Sequence, residues 1–197
     1  SGIARGTKLN SIESNSTRPT LDRVKEAFFS SIQSSINENI VVLDLFAGSG
    51  QIGIEFLSRG VKKVYFCEKN PLAVKMIKQN LEKTKFCEHS IIINKDYKVA
   101  LENFKKSNIY FDIIYIDPPY KLDMAVKSID YILNNNLLSK DGVIIIETDE
   151  EERELEELKK DVQFSFWEKK DDTHTVVRFA TSWATRMEDV EKLLSLL

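Results

Sequence analysis

Val41-Val42-Leu43-Asp44-Leu45-Phe46-Ala47-Gly48-Ser49-Gly50-Gln51-Ile52-Gly53 passes from an apolar, β-branched run through a glycine turn into a segment of helical periodicity. Turn glycines admit φ values that a side chain forbids, and the N–H groups opening the following helix favour a carboxylate or phosphate. The next strand closes on Glu68-Lys69-Asn70, about 20 residues on, where a carboxylate can accept both hydroxyls of a ribose. Strand, glycines, helix and acidic strand end thus arrive in the order a nucleoside-containing ligand requires. The bland alternative is a tight turn beside a solvated glutamate. Gly48 to Gly53 also spells G-x-G-x-x-G, so a nicotinamide or flavin dinucleotide is a competing ligand. Asp44 weighs against it. A carboxylate directly off the strand can meet a ligand ammonium group or order the loop, whereas a pyrophosphate gains nothing from it.

Outward from this stretch, β-rich apolar runs alternate with helix-period segments, the pattern of a parallel α/β sheet. Expected strands are Ile40 to Leu45, Lys63 to Cys67, Ile91 to Asn94, Phe111 to Asp117, Val143 to Glu147, Gln163 to Glu168 and Thr175 to Phe179. Asn70-Pro71 opens a helix over Leu72 to Lys83, because asparagine caps and proline suits the first helical position. Arg18-Pro19-Thr20 likewise introduces a helix through about Ile36. The last two strands are separated only by Lys169 to Asp172, which predicts an antiparallel hairpin at the sheet edge. The expected organisation is an N-terminal arm and helix over 1–36, a core over 37–180, and a tail over 181–197 with no assigned role.

Asp117-Pro118-Pro119-Tyr120 follows the buried-looking run Phe111 to Ile116, at the carboxyl end where open α/β sheets place ligands. Two prolines make the segment rigid and extended. The amine on a nucleic-acid base is a poor nucleophile, since its lone pair is delocalised into the ring. Acceptors around its two N–H groups can orient that lone pair. The Asp117 carboxylate and the Pro118 carbonyl are candidates for this, Pro119 fixes the backbone, and Tyr120 can stack on the base. The bland alternative is a rigid strand-ending turn with a packed tyrosine.

Asp117-Pro118-Pro119-Tyr120 resembles the signature of amino methyltransferases that act on adenine N6, cytosine N4 or guanine N2, and Phe46-Ala47-Gly48-Ser49-Gly50 is similar to their cofactor loop. Together they imply S-adenosylmethionine. Arg18-Pro19-Thr20-Leu21-Asp22-Arg23-Val24-Lys25-Glu26-Ala27-Phe28-Phe29 further resembles the segment before the core of the RsmD family, the 16S ribosomal RNA guanine-N2 methyltransferases. The resemblance covers roughly residues 2 to 180. It implies the class I, Rossmann-like fold: a seven-stranded, mostly parallel sheet with an antiparallel edge hairpin and helices on both faces. It also implies cofactor contacts from Asp44, Phe46, Ala47, Gly48, Ser49, Gly50, Glu68, Lys69, Asn70, Asp96 and Tyr97, with Asp96 near the adenine amine. Gly2 to Leu9 is similar to the family's basic opening arm, although Thr7 stands where an arginine is usual. Substrate contacts are accordingly expected from Arg5, Lys8, Arg18, Thr20 and Arg23, and the partner from small-subunit ribosomal RNA within an assembled or assembling particle. Asp171-Asp172-Thr173 departs from the family's hairpin turn.

Composition bounds these readings. A chain of 197 residues, 42% hydrophobic, can build one sizeable core. With a net charge of -3, it does not coat nucleic acid by bulk charge. Residues 1–25 are the exception, with five basic side chains against two acidic ones. Glu147 through Glu157 is acid-rich, and most of it reads as a solvated helix on the face away from RNA. Cys67, Cys87, His89 and His174 lack metal-ligand or redox spacing, so no metal is expected. Without a signal-peptide or membrane-span pattern, the expectation is a soluble, cytoplasmic protein. The rival functions are a DNA adenine-N6 or cytosine-N4 amino methyltransferase, a non-catalytic module that binds S-adenosylmethionine and RNA, and a dehydrogenase.

Overall fold

A computed structural model describes residues 2–11, 29–30, 32–118, 122–148, 165–169 and 175–180. The strands are β1 (Val41–Asp44), β2 (Lys63–Cys67), β3 (Ser90–Ile93), β4 (Phe111–Ile116), β5 (Leu138–Thr148), β6 (Ser165–Lys169) and β7 (Thr175–Ala180). The helices are α1 (Gln51–Ser58), α2 (Pro71–Thr84), α3 (Tyr97–Lys106) and α4 (Leu122–Asn134). One seven-stranded sheet runs in the order β3-β2-β1-β4-β5-β7-β6. The first five strands are parallel, and β7 lies antiparallel to both β5 and β6. An antiparallel strand inserted at one side departs from the all-parallel dinucleotide-binding sheet. The expected class I fold and its edge hairpin are what the chain adopts.

Alternation along the central strands builds two core layers. Leu43, Leu45, Ile114, Ile116, Ile144 and Ile146 point to one face, where α3 and α4 supply Ala100, Leu101, Phe104, Ile129 and Ile132. Val42, Ile113, Tyr115 and Ile145 point to the other, against Ile54, Phe56 and Leu57 of α1 and Ile77 and Leu81 of α2. Strands covered on both sides read as continuous apolar runs, which is why Ile113 to Ile116 shows no polar alternation. Each fully buried Ile, Leu or Phe side chain contributes roughly 1.5–3 kcal/mol. Phe29 closes the second layer edge-on to Phe56, at 4.8 Å between ring centroids, with the Arg59 guanidinium 4.7 Å over its other side.

Most element ends shift by a residue or two from those expected, and β5 and the N-terminal helix differ for a physical reason. β5 begins at Leu138, not Val143, because Lys140-Asp141-Gly142 reads as a turn but lies within the strand, at a register shift opposite Phe111 and Ile113. A Cβ on Gly142 would come within 2.8 Å of the Leu138 side chain, so the irregularity needs that glycine. The helix expected through Ile36 is already over there: Phe29 and Ser30 are helical, and Gln33–Ser35 make a single 3-10 turn. Asn37 then redirects the chain into β1, its side chain accepting from the Asn39 amide at 2.9 Å. Glu147 lies in β5, as the expected strand Val143 to Glu147 had it, and Thr148 extends that strand, while the rest of the acid-rich stretch and the 181–197 tail lie outside the described residues.

Candidate active site

Strand order reverses between β1 and β4, which opens a crevice at their carboxyl ends, the usual ligand position in an open α/β sheet. Asp44 pairs in register with Tyr115. The Leu45 amide still donates to Tyr115 O at 3.0 Å, so the glycine loop and Asp117 leave these two adjacent strands at the same edge. The two motifs singled out in the sequence meet at the switch point.

Backbone hydrogen bonds fasten the glycine loop to the neighbouring strands and to itself. Its Leu45 amide donates to Tyr115 O at 3.0 Å, its Ala47 amide to Cys67 O at 3.0 Å, and its Gly50 amide back to Ala47 O at 2.7 Å. Gly48 and Gly50 have φ of +53° and +79°, in the left-handed region that a side chain avoids. A Cβ on Gly48 would meet nothing within 4 Å, so open space faces this backbone. Gly53, one turn into α1, is tight for a different reason: its Cβ would lie 2.2 Å from the Phe66 ring, so a glycine here lets the helix press on β2.

Asp44 is 2% exposed, and its Oδ2 accepts from the Gly53 amide at 3.1 Å. Of the two roles open to this carboxylate, ordering the loop is one it performs. Glu68 bridges elements as well, with Oε2 accepting from the Gly48 amide at 2.9 Å and Oε1 from the Asn70 amide at 2.7 Å. Each carboxylate oxygen retains a further lone pair for a ligand hydroxyl. Asn70 caps α2 through Leu72 N at 2.9 Å with Pro71 following, as its sequence implies. Asp96 caps α3 through Lys98 N at 3.0 Å. Phe46 packs on the buried Tyr97 ring at 5.3 Å, forming an apolar wall between the glycine loop and the β3 end. Lys69 is exposed beside Asn70.

Acidic groups gather at this edge. Burial, then the Glu68, Asp44 and Asp96 carboxylates in that order, push the Cys67 thiol up to about 12. Burial, then Asp117 and Asp44, hold the Tyr115 hydroxyl well above the usual phenol range. Both groups stay neutral near pH 7. Neither is a nucleophile or base, and the ionisable chemistry belongs to the carboxylates around them.

Asp117 is exposed and Pro118 half-buried, while Pro119 and Tyr120 lie outside the described residues. So do Arg18, Thr20 and Arg23. Arg5 and Lys8 are exposed on an arm that lies along the helices. The arm is pinned by the Ile3 amide to Ser58 O and the Ala4 amide to Ser58 Oγ, each at 2.9 Å. Ser58 ends α1 at the opposite end from the glycine loop, so Arg5 is not brought to the switch point.

Two residues at this edge escape sequence reasoning. Asn94 Nδ2 donates to Glu68 O at 2.9 Å and Lys69 O at 3.2 Å, tying the β2 and β3 ends together. Asn80, fully buried on α2, reaches Ser49 O in the glycine loop at 2.9 Å. A polar residue inside a helical repeat carries no signal of a long-range partner. Among the described residues no cluster of His, Cys, Asp and Glu could hold a metal ion, and no helix is long and apolar enough to cross a membrane.

The family model described as conserved hypothetical protein 95 matches residues 1–181. The chain is 35% identical over 151 residues to ribosomal RNA small subunit methyltransferase D of Haemophilus influenzae, spanning 76% of this chain and 77% of that protein. It is 36% identical over 151 residues to the putative rRNA methyltransferase YlbH of Bacillus subtilis, spanning 77% and 82%. Among solved structures, a putative methylase of Haemophilus influenzae superposes with a TM-score of 0.66 at 29% identity, covering 91% of this chain and 94% of that one. A putative methyltransferase of Escherichia coli has a TM-score of 0.75 at 23% identity, covering 92% and 96%, a likeness of fold. With its switch-point loop, strand-end carboxylates and Asp117-Pro118 edge, the chain belongs to the conserved hypothetical protein 95 family, the RsmD family of class I methyltransferases.

Proposed function

We propose that this chain transfers a methyl group from S-adenosylmethionine to the exocyclic N2 amine of a guanine in small-subunit ribosomal RNA. The observation that carries the reading is the register of β1 against β4, which sets the glycine loop and Asp117-Pro118 side by side in one crevice. The names of the Haemophilus and Bacillus relatives support the RNA class. The groups present suit the cofactor: open backbone at Gly48, amides at the start of α1 to donate to a carboxylate, Glu68 to accept from ribose hydroxyls, Asp96 to accept from an adenine amine, and the Phe46–Tyr97 wall.

Bound there, S-adenosylmethionine supplies an electrophilic methyl on a positively charged sulfur. The chain's own work is positioning and electrostatics. The Asp117 carboxylate and Pro118 carbonyl accept the two N–H bonds of the amine and turn its lone pair towards the glycine-loop side of the crevice. Proline offers a carbonyl without a competing N–H. Asp117 then takes the proton that the amine must release, and Tyr120 stacks on the base. A paired guanine cannot reach this edge, so the substrate base is in a loop or is extruded at a cost of roughly a few kcal/mol. The exposed Arg5 and Lys8, with Arg18, Thr20 and Arg23, contact the RNA backbone.

Calorimetry with S-adenosylhomocysteine and with NAD tests the cofactor assignment. Saturable binding of the first and none of the second is the expected result. The reverse would return the chain to the dinucleotide reading of G-x-G-x-x-G.

A further inference from the structure

Asn80 has no exposed surface, and every polar hydrogen and the oxygen of its side-chain amide are engaged. Its Oδ1 accepts from the Asn10 amide at 2.7 Å, and its Nδ2 donates to Asn10 O and to Ser49 O, both at 2.9 Å. One neighbour belongs to the N-terminal arm and the other to the glycine loop. The amide satisfies both in only one orientation: turned over, Nδ2 would face the Asn10 N–H, and Oδ1 would face two carbonyls. Each neighbour thus holds the orientation that the other needs.

Asn10 is gripped at its side chain too, with Nδ2 donating to Gln79 Oε1 at 3.1 Å and Oδ1 accepting from Lys83 Nζ at 2.5 Å. All four of its polar atoms are therefore taken by α2. If the arm leaves, Asn80 Oδ1 and one Nδ2 hydrogen lose their Asn10 partners, and the side chain is no longer held in the orientation that serves the Ser49 carbonyl. If the loop shifts, the Ser49 carbonyl no longer holds the Asn80 amide, and the arm's anchor is free to turn.

We infer that Asn80 is a positioning residue that links docking of the N-terminal arm to the shape of the cofactor loop, so that a filled cofactor site and an ordered arm stabilise each other. The inference rests on the proposed reading of the loop as the S-adenosylmethionine site. It makes RNA engagement by the arm sensitive to whether the cofactor is in place. Linkage of this kind is reciprocal, the same factor appearing whichever end is perturbed.

The test compares the wild-type chain with Asn80→Ala and Asn10→Pro. Asn10→Pro removes the arm's N–H donor together with the side-chain bonds to Gln79 and Lys83 and leaves Asn80 itself in place, which guards against a general loss of folding in Asn80→Ala. In the wild type, S-adenosylhomocysteine should slow hydrogen exchange of arm residues 2–11 by about fivefold or more. Asn10→Pro should weaken S-adenosylhomocysteine binding by a comparable factor, and Asn80→Ala should lose the protection of the arm. Ligand binding with no change in arm exchange, or Asn10→Pro affinity equal to wild type, would overturn the linkage alone. No binding of S-adenosylhomocysteine to the wild type would overturn the cofactor reading and the linkage with it.

Discussion

Asp117 and Cys67 show how strand ends on either side of β1 give two ionisable side chains opposite uses. Asp117 stands exposed at the end of β4, where a substrate can reach it. Asp117→Ala removes an acceptor for the amine, and it should lower methyl transfer on the order of 100-fold or more while S-adenosylhomocysteine affinity stays within about threefold. Equal activity in a turnover assay would remove Asp117 from the mechanism. Cys67 lies buried among carboxylates, and its thiol is raised to about 12. A neutral buried thiol stabilises the fold below the ordinary thiol range, and that contribution fades as pH rises from there towards about 12. At pH 8 a thiol reagent should therefore modify the exposed Cys87 at once and Cys67 only on unfolding; two fast thiols would contradict this burial. Sequence had already marked Asp44, Gly48, Glu68 and Asp117, because strand ends and glycine turns leave local signals. Asn80 and Asn94 left none, since their partners are the remote Asn10 and Ser49 in one case and the β2 end in the other.

Helix α1 is positioned by what it lacks. Glycine within a helix costs roughly 0.5–1 kcal/mol relative to alanine, yet at Gly53 a methyl would run into the Phe66 ring of β2. Gly53→Ala should therefore destabilise the protein, by about 1–3 kcal/mol in chemical denaturation, in spite of its better helix propensity. A stabilising effect would show that α1 has room to move off the sheet. Most elements were legible to within a residue or two: α2 announced itself through the Asn70 cap and Pro71, and β4 through the apolar run Ile113 to Ile116. β5 was not, because Asp141-Gly142 is turn chemistry when read locally and an irregularity within a strand when held against β4. Tertiary pairing overrode the local signal there.

For the whole molecule, the alternation of strands and helices predicted a parallel sheet, but the order of its strands was not legible in periodicity. Nothing local says that β4 lies beside β1 instead of β3, and yet that adjacency brings the two motifs together. The short interval between β6 and β7 did foretell their antiparallel pairing. What local sequence leaves open is the substrate, since Asp117-Pro118-Pro119-Tyr120 would serve adenine and cytosine amines as well as guanine N2. The measurement that decides this is transfer of labelled methyl from S-adenosylmethionine to undermethylated small ribosomal subunits, naked ribosomal RNA and duplex DNA, followed by nucleoside analysis. The expected product is N2-methylguanosine, confined to ribosomal substrate. Methyladenine or methylcytosine in DNA, or no transfer despite tight S-adenosylhomocysteine binding, would contradict it.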